Sequence, residues 1–395
     1  MDVDIRHPLP FADDSVDYIL AEHVFEHVTP HEGIGFLKEC FRVLKSTGVL
    51  RLCVPVIDYI IQRHDEPYLR CHGGSLHSAI EMMAHSWGHQ ALYTEQMLLL
   101  LLDVFGFECQ VKSPMQSDYA ALQGVDGHPR AIGAQMNWIE TAVIEAVKRK
   151  PRIFDCFTFL NEDALVEIRL HELKDVVDYF VVVESNRTFT GNPKPLNFDI
   201  NRAELAEFKD RIIYVTVEDM PREGAWQAEA HQRNCCLRGL AKAKPGDIIM
   251  LSDVDEIPRA NVVREQAEAV SRGDKPSSRL VLNCHYFYLN SVPGAPWVYG
   301  PVMTDFDSFL KMTPEEWRHA KVDEVYDSGW HFSYFGGKER IVYKIESFSH
   351  TEFNNEDGKR FWLESADATK TVDVMEEYYP HHVRANPDRF AEYLR

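Results

Sequence analysis

The sequence predicts an α/β protein in two parts, and three observations predict it. Short apolar runs alternate with segments of helical period, a basic, proline-ended stretch Lys148-Arg-Lys-Pro151 separates two patterns, and one apolar run delivers Asp253 and Asp255 two residues apart. These place one domain at 1–148 and a second at 149–395.

In the first part, Asp17 to Ala21 reads as a short strand, and Gly35 to Leu44 carries apolar residues at helical spacing, Phe36, Leu37, Phe41 and Leu44. Gly48 breaks that pattern, and Val49 to Val54 is a second buried strand ended by Pro55. Thr94 can N-cap a helix carrying Met97 to Phe105, with Gly106 at its C-terminal break.

The second part alternates more clearly. Strand Ile153 to Phe159, helix Asp163 to Leu173, strands Tyr179 to Glu184 and Ile212 to Val217, helix Gln227 to Ala241 and strand Ile248 to Leu251 argue for a mostly parallel sheet with right-handed crossovers. After Pro258 the pattern loosens into aromatic-rich segments whose rings either build a core or stack on sugar faces.

A formal net charge of −20 repels nucleic acid and anionic lipid over most of the surface, so no nucleic-acid partner is expected. The eight cysteines show no Cys-x-x-Cys spacing, and several sit in apolar runs, which reads as reduced core thiols and a cytoplasmic protein. The start has neither a basic segment nor an apolar stretch of signal-peptide type, and Met97 to Leu102 is too short to span a bilayer.

The chemistry concentrates at Asp247-Ile-Ile-Met-Leu-Ser-Asp253-Val-Asp255-Glu256-Ile-Pro258. Period-two geometry puts the carboxylates of Asp253 and Asp255 on one side of an extended chain, with Glu256 opposite as a structural or supporting group. Two hard oxygen ligands at a strand end, where open α/β sheets bind ligands, suit a divalent metal held against a diphosphate. In a loop or at a helix start the same pair would instead cap backbone donors. Arg187, Lys194 and Arg233 are the cations suited to phosphate oxygens.

Five blocks then occur in order: Ile153-Phe-Asp-Cys-Phe-Thr-Phe-Leu-Asn-Glu162, Glu184-Ser-Asn-Arg-Thr-Phe-Thr-Gly191-Asn-Pro-Lys-Pro-Leu196, Gln232-Arg-Asn234, Ser252-Asp-Val-Asp-Glu-Ile-Pro258 and Gly329-Trp-His-Phe-Ser333. Together they resemble family 17 glycosyltransferases. The resemblance implies a GT-A-like, Rossmann-type nucleotide-sugar domain, a UDP-sugar donor with N-acetylglucosamine first among sugars, and inverting, metal-dependent transfer to a glycan-type or other hydroxyl acceptor. It makes Asp253, Asp255 and His331 the metal set for Mn²⁺ or Mg²⁺, with His350 as rival to His331. A histidine ligand favours Mn²⁺. Glu162, Arg187, Lys194, Arg233 and Asp253 form the donor-binding set, and Asp327 or Glu229 supplies the carboxylate that takes the acceptor proton, with Asp305 and Asp307 as rivals.

Upstream, Leu9-Pro-Phe-Ala-Asp-Asp-Ser-Val-Asp17-Tyr-Ile-Leu-Ala-Glu-His-Val-Phe-Glu-His27, Arg42-Val-Leu-Lys-Ser-Thr-Gly48 and Gly106-Phe107 resemble class I S-adenosylmethionine-dependent methyltransferases. The resemblance implies a partial α/β domain of that class, with Asp4 at the adenine and Glu22, His23, Glu26 and His27 at the cofactor mouth. It begins after the glycine-rich turn and ribose-binding acid, so S-adenosylmethionine binding by this chain alone is not expected. An upstream methyltransferase half on another chain, or a homo-oligomer, would cover the exposed sheet edge. Alternative readings are a methyltransferase completed by such a partner, a non-catalytic sugar-nucleotide-binding module and, weakest, an aspartate-nucleophile phosphatase.

Overall fold

The computed structural model describes residues 3–222, 224–373 and 378–395, and divides into two compact units, one ending at Lys150 and one beginning at Pro151. In the first unit, strands β1 (Val16–Glu22), β2 (Leu44–Pro55), β3 (Phe107–Lys112) and β4 (Thr141–Lys148) form a sheet in the order β1-β2-β4-β3. The β1–β2 pair is parallel and the other two are antiparallel.

The helix expected from Gly35 begins earlier, at Pro30, because Thr29 and Glu32 form a reciprocal capping box with proline in the first turn. It ends at Val43, and Leu44 already belongs to β2. Gly48 therefore breaks no helix: the β1–β2 register slips between Val16 and Tyr18, and Thr47 adopts a φ of 72°, so the chain bulges within the strand. The later helix, Glu95–Val104, is capped by the Thr94 side chain as expected. Arg51 is fully buried in this unit, held by Asp126 at 2.6 Å and Glu145 at 2.8 Å.

In the second unit, β5 (Ile153–Phe159), β6 (Tyr179–Ser185), β7 (Ile212–Val217) and β8 (Ile248–Asp253) run parallel to one another at the heart of a seven-stranded sheet. The short strand β9 (Glu256–Pro258) follows β8 directly. The aromatic-rich stretch is more ordered than its pattern suggested. It supplies β10 (Ser277–Leu280), β11 (Leu282–Tyr286), β12 (Pro296–Trp297), β13 (Val302–Asp305), β14 (Asp323–Val325) and β15 (Gly329–Ser333).

The large sheet has the order β14-β10-β13-β8-β5-β6-β7, with β13 antiparallel to β8. A second, four-stranded sheet has the order β12-β11-β15-β9. Because β8 lies in one sheet and β9 in the other, the turn between them, Val254-Asp255, joins the two sheets.

The helix Asp163–Leu173 is buried on nearly all sides. The helix expected over Gln227 to Ala241 instead runs Ala225–Asn234 and tightens into a 3-10 turn, Cys235–Gly239. There Gly239 lies against β6 so closely that a Cβ would fall 2.3 Å from Val181 Cγ1. Six of the eight cysteines are buried and unpaired, but Cys71 is exposed. No helix among the described residues is long and apolar enough to cross a membrane.

Candidate active site

The carboxyl ends of β5, β6 and β8 open on a cavity of about 590 Å³. Asp253 closes β8 opposite Thr158 of β5, and Val254 turns its side chain into the core at 3% exposure, so Asp253 and Asp255 both face the cavity. The alternation expected from the sequence therefore holds through the turn.

A buried arginine fixes that turn. Arg169, on the helix Asp163–Leu173, binds both oxygens of Asp155 at 2.6 and 2.7 Å and donates to the carbonyl oxygens of Glu256 at 2.6 Å and Asp253 at 3.2 Å. The same guanidinium donates to Ser252 Oγ at 2.5 Å. Five contacts on one planar fork leave the acidic turn little freedom.

Asp253 accepts from Thr158 Oγ1 at 3.1 Å, Arg233 Nη2 at 3.2 Å and Arg318 Nη2 at 3.0 Å. Burial raises its pKa, but the guanidinium groups of Arg318 and Arg233 outweigh burial and hold the carboxyl down to about 2. Asp255 accepts from Lys344 Nζ at 2.8 Å, and its other oxygen lies 3.6 Å from His331 Nε2. Burial again opposes ionisation, and Lys344 and His331 reverse it, leaving Asp255 well below the usual carboxylate range.

His331 is delivered by β15. Gly329, at a φ of 149°, lets that strand approach β9, where a Cβ would fall 2.3 Å from Ile257 O. Register then sets His331 opposite Glu256, with its ring 4.3 Å from that of Trp297 and Nδ1 3.5 Å from Cys284 Sγ. Burial lowers the imidazole pKa, but Asp255 raises it more, to about 10. His350 also lines the cavity, yet it packs edge-on against Trp226 and binds Glu352, with no contact to either aspartate.

Of the other expected residues, Glu162, Arg187, Glu229 and Arg233 line the cavity. Glu162 accepts the N–H groups of Leu160 and Asn161, both at 2.9 Å, and burial raises its pKa despite nearby Lys344. Glu229 pairs with Arg233 one helical turn on, at 2.7 Å, and accepts from the Ser349 hydroxyl. Arg187 donates to Gly191 O at 3.1 Å and pairs with no carboxylate among the described residues, so its charge is available to a ligand.

Four of the candidates lie off the cavity. Lys194 does not line the cavity: it is buried against Glu184, whose oxygens also accept from Asn197 N at 2.6 Å, Phe198 N at 3.0 Å and Tyr214 OH at 2.7 Å. Its charge is consumed in holding a loop. Asp327 points to solvent at 74% side-chain exposure, hydrogen-bonded by Asn283 and 3.6 Å from Arg259. It lies four residues before His331, but it precedes β15, and of that strand His331 and Ser333 line the cavity. Asp305 is spent as the N-cap of the helix Phe306–Phe309, and neither it nor Asp307 lines the cavity.

Sequence reasoning missed Arg318, Lys344, Glu315 and Arg169. Arg318 comes from the short helix Pro314–His319 and Lys344 from the helix Gly337–Ser347, and neither sits in a local pattern that signals ligand chemistry. Glu315, on the same short helix as Arg318, pairs with Arg233, and the local sequence shows nothing of this. In the first unit, Glu22, expected at a cofactor mouth, accepts instead from Gly127 N at 2.8 Å and His128 N at 2.9 Å, and Asp4 is paired with Arg6 at 2.7 Å.

A mixed sheet whose parallel centre ends in an acidic turn, with helices packed on it, defines an α/β domain of Rossmann type. The family model described as "Glycosyltransferase family 17" matches residues 134–359, and the chain belongs to that family. The model described as "Methyltransferase domain" matches residues 1–52. The chain is similar to the β-1,4-mannosyl-glycoprotein 4-β-N-acetylglucosaminyltransferases of Rattus norvegicus and Homo sapiens, each 33% identical over 116 residues. That stretch is 27% of this chain and spans only 22% of the length of those relatives.

Among solved structures, a SAM-dependent methyltransferase from Archaeoglobus fulgidus is similar over 38% of this chain and 66% of its own, at a TM-score of 0.22 and 15% identity. A 4-diphosphocytidyl-2C-methyl-D-erythritol synthase is similar over 45% of this chain and 90% of its own, at 0.29 and 10%.

Proposed function

We propose that this chain transfers a sugar, N-acetylglucosamine first, from a UDP-sugar to the hydroxyl of a glycan-type acceptor, with the help of a divalent cation, Mn²⁺ before Mg²⁺. The observation that carries this reading is the placement of Asp253 and Asp255 at and just past the end of β8, on one cavity with Arg187, which pairs with no carboxylate among the described residues, and with His331 3.6 Å from Asp255. The family relationship supports sugar transfer, and the name of the similar enzymes supports N-acetylglucosamine as the sugar.

The residues fit a cation unevenly. A separation of 3.6 Å between Asp255 and His331 Nε2 suits two atoms sharing one ion with bonds of about 2.1 Å. Asp253 is already bound by Thr158, Arg233 and Arg318, so it serves better as the anchor of those two guanidinium groups than as a direct ligand. Charge also supports a cation. Five carboxylates line the cavity against four lysine and arginine groups, which leaves no surplus for a diphosphate. When bound, the ion would stabilise negative charge developing on the leaving diphosphate.

Arg187 would pair with a diphosphate oxygen, and the aromatic wall that includes Trp226, Tyr299 and Trp362 offers ring faces to the sugars. Glu229 is the stronger candidate for taking the acceptor proton, since Asp327 lies off the cavity.

Thermal-shift titration of the full chain with UDP-N-acetylglucosamine, with and without Mn²⁺, tests the reading. Stabilisation should need both, and approach roughly 2.7 kcal/mol at a hundred times the dissociation constant. His331→Ala should weaken the Mn²⁺ response more than His350→Ala does. A response to GDP-mannose with none to any UDP-sugar would overturn the donor assignment, and the reverse order of the two histidine variants would overturn the metal assignment.

A further inference from the structure

We propose that Glu26, His27 and His89, in the N-terminal unit, form a binding site for a divalent transition-metal ion. One potential ligand atom from each of the three lies within 4.8 Å of the others. Two imidazoles and one carboxylate are a donor set that suits zinc and its neighbours in the first transition row, and three protein ligands leave a position for water.

The state of Glu26 points to a ligand independently of that clustering. Its side chain is 1% exposed, and both carboxylate oxygens are buried without a hydrogen-bond partner. A buried carboxylate in that condition is costly unless a positive charge faces it. The nearest groups able to carry one are His23, with Nδ1 at 3.3 Å, and His27, with Nε2 at 3.9 Å. A dication between Glu26 and the imidazoles would satisfy both oxygens at once.

The backbone prepares the site. Glu26 and His27 lie on the 3-10 turn Phe25–His27, and His89 lies on the loop that follows the helix Leu76–His85. Glu26 O accepts from Gln90 N at 2.7 Å and Ala91 N at 3.2 Å, while His27 O accepts from Gln90 Nε2 at 2.7 Å. These bonds clamp the loop to the turn and bring the His27 and His89 rings to a centroid distance of 4.8 Å, edge to face.

The His89 tautomer is set as well. Nδ1 lies 2.6 Å from Met83 O, and a carbonyl oxygen can only accept, so Nδ1 carries a proton and Nε2 is the nitrogen left for an ion. Histidine ligands to metals are commonly oriented by this kind of bond. His27, at 37% side-chain exposure, gives an ion access from solvent.

The test uses Zn²⁺ on the full chain carrying Asp255→Asn, so that the glycosyltransferase cavity does not contribute, after stripping with a chelator. Equilibrium dialysis should find one bound equivalent, and Co²⁺ in its place should show visible absorption of a low-coordinate nitrogen and oxygen site. Glu26→Gln and His89→Gln should each weaken Zn²⁺ binding by about tenfold or more, while His23→Ala should leave it within a few-fold. Circular dichroism of each variant without metal checks the fold, and the Zn²⁺-dependent rise in Tm should vanish in Glu26→Gln even if its metal-free Tm increases. Unchanged affinity in both ligand variants, or a loss confined to His23→Ala, would overturn the proposal.

Discussion

Arg318 holds both oxygens of buried Glu256, Nη1 at 2.7 Å and Nη2 at 2.6 Å, and the same Nη2 reaches Asp253 Oδ2 at 3.0 Å. Glu256 in turn accepts from Trp297 Nε1 at 2.6 Å and from Asp253 N at 3.0 Å. One guanidinium thus ties the end of β8, the start of β9 and a distant helix into a single network, and the acidic turn is positioned by it. Breaking a buried pair from one side leaves the other charge uncompensated. Arg318→Met should therefore lower stability by about 3–5 kcal/mol, read from urea unfolding, and the double change with Glu256→Gln should recover part of the loss. A cost below about 1 kcal/mol, the range of exposed pairs, would show that the network does not hold the turn.

Asp255→Asn keeps the size of the side chain but removes the charge that faces Lys344 and His331. If that charge is worth ~4 kcal/mol in the transition state, the rate of sugar transfer to acceptor should fall about a thousandfold. Asp253→Asn should be comparably impaired, because Arg233 and Arg318 lose their shared partner. Turnover within a few-fold of the parent in either variant would remove these aspartates from the chemistry.

Arg187 and Lys194 separate binding from folding. Arg187→Ala should raise the donor KM by about tenfold or more, the value of one charge-assisted contact of roughly 1.5–3 kcal/mol, with Tm unchanged. Lys194→Ala should do the opposite: destabilise the fold by about 3–5 kcal/mol by stranding Glu184, with KM unaltered in the folded fraction. KM effects from Lys194→Ala without loss of stability would place its ammonium at the donor.

Glu167 provides a pH signature. Burial pushes its carboxyl up, but hydrogen bonds from His382 and Arg389 pull it down further, from an ordinary 4.5 to about 2. A carboxylate held below its unfolded value contributes stability that is complete above the unfolded pKa and disappears as pH falls toward the folded one. Urea unfolding should accordingly show stability declining between about pH 4.5 and pH 2, and Glu167→Gln should flatten that decline. An identical pH dependence in the variant would mean that other carboxylates carry the acid sensitivity.

The central strands β5 to β8 were legible because a strand buried on both faces needs a largely apolar run, and Tyr179–Ser185 and Ile248–Asp253 each open with one, while Ile153–Phe159 is broken only by Asp155, which Arg169 neutralises, and by Thr158. The boundaries were less legible. The helix start at Pro30 is set by the capping box of Thr29-Pro-His-Glu32, whereas apolar spacing becomes regular only from Phe36 and so marks a later start. The strands after Pro258 are only two to five residues long, too short for periodicity to register.

By itself the sequence determined the α/β alternation, the two-residue spacing that turns Asp253 and Asp255 toward one side, and the presence of His331 in a block that belongs beside them. Those are local properties, set by backbone period and by neighbours in the chain. Only the tertiary structure decided which charges meet. Lys344 reaches Asp255 across 89 positions and Arg318 reaches Asp253 across 65. Lys194, a phosphate ligand by residue type, is consumed by Glu184, while Arg187 pairs with no carboxylate among the described residues. Electrostatic partners act through space, and a low-dielectric interior makes each pairing consequential, so the function of a charged side chain depends on where the fold places it.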